Sequence, residues 1–144
     1  MLANLALATV FDVITFLVHA AGLIALTHMV SFLLAHPVLN GKQGETVVAM
    51  ALLALGLFLL VAVEIAIWAA GMRMVGAFQD FDTAFYFSAS TFATIGFNDA
   101  APAKTWRLLS SLEGVTGLLI VGWTAAYLVN SGVRFGPFER DKHF

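Results

Sequence analysis

The chain contains no cysteine, which removes disulfides, thiolate metal sites and thiol nucleophiles from consideration. Charge is also scarce: only 11% of the 144 residues are charged, where a soluble domain carries about a quarter. With 60% hydrophobic residues and so little charge, the chain cannot cover itself with a water-compatible surface and belongs to the membrane class. Its net charge of -2 gives no reason to expect a nucleic-acid partner. No positive side chain precedes Lys42, so the basic start of a signal peptide is missing. No nucleophile–base arrangement, phosphate loop or dense ligand cluster appears, and the chain reads as non-enzymatic. The first apolar segment lacks a regular arginine ladder, which excludes a charge-moving voltage sensor.

What is present is three apolar segments long enough to cross a bilayer, which takes about 20 residues each. Residues 1–38 hold the first, within Leu2 to Ala35, ended by the proline, asparagine and glycine of the turn from Pro37 to Lys42. The second runs from Thr46 and closes at Ala70–Gly71, with Glu64 as its charge. The third covers 106–130, and 131–144 form a short polar tail. The segment between the last two spans is too short and polar for a full span, yet too apolar for a solvated loop. Asp80 or Asp82 can cap a helix beginning near Thr83, and that helix must stop by Gly96. A half-membrane helix followed by extended backbone is a re-entrant segment, tolerated only where it lines a water-filled path or is buried in protein. One such segment per chain implies that several identical chains close a pore by cyclic symmetry.

A potassium-selective path needs successive backbone carbonyls that replace the ion's hydration shell. Turning them inward calls for glycine, while a threonine hydroxyl can add one more oxygen ring and an aspartate can concentrate cations at the mouth. Thr94-Ile95-Gly96-Phe97-Asn98-Asp99 answers this description except at Asn98. Here the chain resembles the potassium channel pore family, whose signature reads Thr-Val/Ile-Gly-Tyr/Phe-Gly-Asp. Ala84 to Ala93 looks like that family's pore helix, Asp99 to Pro102 like the filter exit, and Trp106-Arg107-Leu108-Leu109 like the start of its inner helix. The similarity covers 46–130 and is greatest to small prokaryotic members, with an added N-terminal span.

The resemblance implies an all-α membrane protein assembled as a homotetramer. Each subunit would supply an outer helix (46–70), a pore helix and filter (82–99) and an inner helix (106–130). It implies potassium ions held by the backbone of Thr94, Ile95, Gly96 and Phe97, with no cofactor. The partners implied are three further copies and membrane lipids, in a bacterial inner membrane. Tyr86, Phe87, Ser90 and Thr91 would support the filter, and the Phe97 ring would pack against Tyr86 or Phe87. Ser90 stands where some relatives place a carboxylate. Leu118, Val121, Ala125 and Val129 recur at helical spacing and would line an apolar cavity, or pack on a neighbour. Gly117 and Gly122 are hinge or packing glycines.

Glu64 and Glu113 each fall roughly 10 Å below the outer surface, where they would serve as a filter clamp or a proton sensor. Their expected partners are each other, Arg107, or the hydroxyls of Ser88, Ser90 and Thr91. Asp12, Thr15 and His19 share one helix face, with His28 nearly opposite. An interhelical hydrogen bond explains that face better than a metal site built on Asp12 and His19.

Family geometry implies an outside N-terminus, with Lys42, Arg134, Arg140 and Lys142 inside and Arg73, Lys104 and Arg107 outside, a bias too small to set orientation by itself. The added first span is expected outside the pore, on the lipid-facing side. The tail is too short for a gating domain, so gating is expected from the membrane, voltage on the filter, protons or a separate partner. Asn98 tolerates left-handed backbone, but it adds four amides at a tetramer's outer mouth. Two alternatives therefore stand beside a potassium-selective channel: a weakly selective sodium/potassium channel, and a non-conducting scaffold of the same fold.

Overall fold

The computed structural model describes residues 1–35, 43–96 and 100–135. Among the described residues four α-helices follow in order: α1 (Leu2–Ala35), α2 (Gln43–Met74), α3 (Phe81–Phe92) and α4 (Arg107–Phe135), the last entered through a 3-10 turn at Lys104–Trp106. No strand occurs among the described residues. Leu2–Ala35, Thr46–Met74 and Lys104–Phe135 are long and apolar enough to span a bilayer. Helix is the required form there, because hydrocarbon leaves the backbone no partner but itself.

The helix ends show what the apolar pattern leaves unspecified. α2 continues through Gly71, where the sequence reading closes it, because that glycine is a packing position. A Cβ there would lie 2.5 Å from the Cζ of Phe11 on α1. The helix stops instead at Gly76, with φ of 77°. The Gly76 amide donates to the Arg73 carbonyl (3.0 Å) and the Ala77 amide to the Met72 carbonyl (2.9 Å). These two bonds form a Schellman stop with a left-handed glycine. α4 likewise outlasts its expected end at 130 and takes up 131–135 of the assumed tail. Ser131 and Gly132 are buried, and Phe135 packs with Tyr127 and Leu128 against Leu23, Val30, Leu53 and Leu57. The turn from Pro37 to Lys42 and the tail from Gly136, including Arg140 and Lys142, lie outside the described residues.

α1 packs against both α2 and α4, joined to them by hydrogen bonds spread along its length. Near its start, Asn4 Oδ1 accepts the Leu109 amide (3.1 Å) and Asn4 Nδ2 donates to the Thr105 carbonyl (3.2 Å). At mid-height the Thr116 hydroxyl donates to Asp12, and Trp68 Nε1 donates to the Thr15 hydroxyl (3.1 Å). Further along, the Thr27 and Tyr127 hydroxyls are 2.7 Å apart. Small residues draw α1 and α2 together: a Cβ at Gly22 would collide with the Leu60 side chain, and one at Gly56 with that of Leu26. The other side of α1, with Val10, Val13, Leu17 and Ile24, is exposed. α3 packs into a core cluster in which Phe92, Ala84, Leu109, Ile120 and Trp68 are buried together.

Candidate functional site

The site is built on α3, whose 12 residues reach only part-way through a membrane. Asp80 begins it: its carboxylate accepts the Thr83 amide at 2.7 Å, a side-chain cap on an otherwise orphaned N–H. That bond holds the exposed Asp80 carboxyl below its ordinary pKa. Along one side α3 buries Ala84, Ser88 and Phe92. Its C-terminal end, the negative end of the helix dipole, leads directly into 93–96 and favours cations there.

The backbone of 93–96 departs from helix in a specific way. The Thr94 amide donates to the Thr91 carbonyl (3.0 Å), while the Ile95 and Gly96 amides both donate to the Ser90 carbonyl (2.9 and 3.3 Å). Thr94 has φ of 57° and Gly96 φ of 67°, whereas Ile95 between them is not left-handed. Positive φ at a β-branched threonine costs on the order of 1–3 kcal/mol and persists only where the surroundings impose it. At Gly96 a Cβ would meet nothing within 4 Å, so the requirement for glycine is conformational rather than steric. Thr94, Ile95 and Gly96 are all exposed on the single chain.

Phe97, Asn98 and Asp99 lie outside the described residues. Beyond them, the Ala103 amide donates to the Ala77 carbonyl (3.3 Å), tying the exit to the loop that precedes α3. An open hollow of about 500 Å³ lies beside Gly96, lined by Phe87, Thr91, Pro102, Arg107 and Ser110. Tyr86, Ser90 and Ile95 border another of about 290 Å³ on an adjacent face of α3. Phe87 packs on Phe78 with ring centroids 5.0 Å apart, and the Ser90 hydroxyl donates to the Phe87 carbonyl (2.9 Å).

On α4, Leu118, Val121, Ala125 and Val129 are all exposed, so the face proposed for a cavity is unoccupied by the chain's own residues. Gly117 is buried against Phe92, whereas Gly122 faces open space. The two glutamates part company. Glu113 is fully buried behind α3 and faces Ser88. Neither its oxygens nor the Ser88 hydroxyl has a hydrogen bond of normal geometry among the described residues. Glu64 turns to α1 instead, where Oε1 lies 2.8 Å from His19 Nδ1, both side chains fully buried. The His19 ring also packs on Trp123 of α4, centroids 4.9 Å apart. Asp12 and His19 therefore turn to different partners, Thr116 and Glu64. The residues missed from sequence are Asn4, Trp68, Thr116 and Tyr127, and for Glu64 what was missed is its pairing with His19. The available signal was a polar atom within an apolar span.

A family model described as "ion channel" matches residues 57–134, more than half of the chain and all of α3 and its following segment. No curated protein and no solved structure gives a match. α1 lies outside the matched region, which takes in the second half of α2, all of α3 and nearly all of α4. An ion channel is not an enzyme, and spans of this length make it a multi-pass membrane protein. The chain belongs to the ion channel family, of the potassium-channel type with two spans around a re-entrant helix.

Proposed function

We propose that the chain is one subunit of a homotetrameric, potassium-selective channel that conducts passively through a ring of backbone carbonyls. The alternation of left-handed backbone at Thr94 and Gly96, immediately after a half-membrane helix, carries this reading. Four such segments around an axis would direct the carbonyls of Thr94 to Phe97 at dehydrated potassium ions. The Thr94 hydroxyl would add the innermost ring, and Asp99 would gather cations at the outer mouth.

Exposure of 94–96 argues for assembly. Irregular backbone in contact with lipid is not tolerated at membrane depth, so these residues need other copies or a water-filled path against them. Leu118, Val121, Ala125 and Val129 would then line an apolar cavity below the filter that gates by dewetting. The filter would face outward from a bacterial inner membrane, with lipid around α1. Asn98 in place of the second filter glycine favours a second reading, a pore that passes sodium and potassium alike.

Flux from liposomes containing only this protein tests conduction. Potassium efflux is expected; its absence at every pH and voltage would favour a non-conducting scaffold.

A further inference from the structure

Gly117 and Gly122 lie on the same helix, but their surroundings differ. At Gly122 a Cβ would meet nothing within 4 Å. At Gly117 it would lie 2.6 Å from the Cα of Phe92 and 3.0 Å from its carbonyl oxygen. Phe92 is the last residue of α3 and is 1% exposed. The obstacle is backbone rather than the end of a flexible side chain, so it cannot swing aside. The neighbouring contacts are looser. A Cβ at Gly114 would sit 3.5 Å from the Thr91 methyl, an ordinary contact, and Glu113 faces Ser88 across the same seam.

From this geometry we infer that Gly117 is a positioning residue for the ion path rather than a hinge. Its missing side chain lets α4 support the end of α3 at van der Waals distance. The support extends to the Ser90 carbonyl, which holds the amides of Ile95 and Gly96. α4 thereby sets the height and tilt at which the carbonyls from Thr94 onward meet the pore. A carbonyl site discriminates among cations by the number and field of its oxygens. Displacing its foundation by a few tenths of an ångström therefore changes the ratio of permeabilities, a quantity independent of how many channels are present. The inference rests on the reading of 94–96 as the filter.

The test compares Gly117→Ala, Gly114→Ala and Gly122→Ala in the full-length protein. Two quantities are read: the potassium-to-sodium permeability ratio from reversal potentials, and hydrogen exchange at the amides of Ile95 and Gly96. Gly117→Ala is expected to change the ratio several-fold and to speed exchange at both amides. Gly114→Ala should show a small effect and Gly122→Ala none. Wild-type exchange or a wild-type ratio in Gly117→Ala overturns the inference, as does an equal effect from Gly122→Ala. If the wild-type protein passes no ions, the proposed function fails and exchange alone decides the positioning role. Should Gly117→Ala not assemble, Phe92→Leu removes the ring that packs beside that backbone, whose Cγ lies 3.0 Å from where a Gly117 Cβ would stand. The same two changes are then expected, and their absence counts against the inference.

Discussion

His19 and Glu64 share a hydrogen bond of 2.8 Å between two spans, and neither side chain is exposed at all. Removing one partner of a buried ion pair costs about 3–5 kcal/mol, because the other is left uncompensated. A lone neutral hydrogen bond inside a membrane is worth only about 0.6 kcal/mol. Magnitude therefore distinguishes the two descriptions. For an ion pair, Glu64→Leu would cost several kcal/mol in detergent unfolding and adding His19→Leu would recover much of that loss, whereas a loss near the smaller figure would mark a neutral hydrogen bond. Simple addition of the two losses would show that the pair is not coupled. The spacing of Asp12, Thr15 and His19 reveals their common helix face in the sequence. Their partners are not legible there, because pairing depends on the rotation and height of α2 and α4, which no single helix encodes. Glu64 illustrates this: its depth is readable, but whether it faces the filter or α1 is not.

Helix termini are the element-scale counterpart. α4 begins under a cap supplied by another helix, with Asn4 accepting the Leu109 amide and donating to the Thr105 carbonyl. Asn4→Ala would leave a buried amide without its acceptor, at a cost of about 1–3 kcal/mol. Hydrogen exchange at Leu109 should quicken in this variant, and unchanged exchange would remove Asn4 from the account of α4. α3 begins under Asp80, whose carboxyl is held below its ordinary value by the Thr83 amide. A depressed folded-state pKa stabilises the helix start fully above the ordinary carboxylate range. That contribution is lost as pH falls through the lowered value. Asp80→Asn should keep a cap but abolish the acid-dependent loosening, measured as corrected exchange at Thr83; persistence of that loosening would assign it to another group. The cap was readable as Asp80 or Asp82, since both precede the aromatic run. The end of α2 was not readable, because Gly71 and Gly76 look alike in sequence. Only the approach of Phe11 and the pairing of Ala77 with Met72 separate a packing glycine from a stop.

At the scale of the whole molecule, the three spans and the half-helix follow from apolar length and from the interruption around Asp80. The role of α1 does not. It is bonded to the helix on which the proposed cavity face lies, at Asn4, Asp12 and Thr27. A tilt of α4 within one subunit therefore strains contacts with α1 as well as with α2. In the proposed function conduction would belong to the assembly, because 94–96 are exposed on one chain and would form a carbonyl ring only where several chains meet. Asn98 is the position at which the amino-acid pattern and strict selectivity disagree, and Asn98→Gly is expected to raise selectivity or leave it unchanged. The most direct measurement is the reversal potential of the purified wild-type protein in a planar bilayer, with potassium on one side and sodium on the other. A potassium-selective carbonyl filter should hold that potential strongly toward the potassium equilibrium value; a reversal near zero, with robust current, would contradict it.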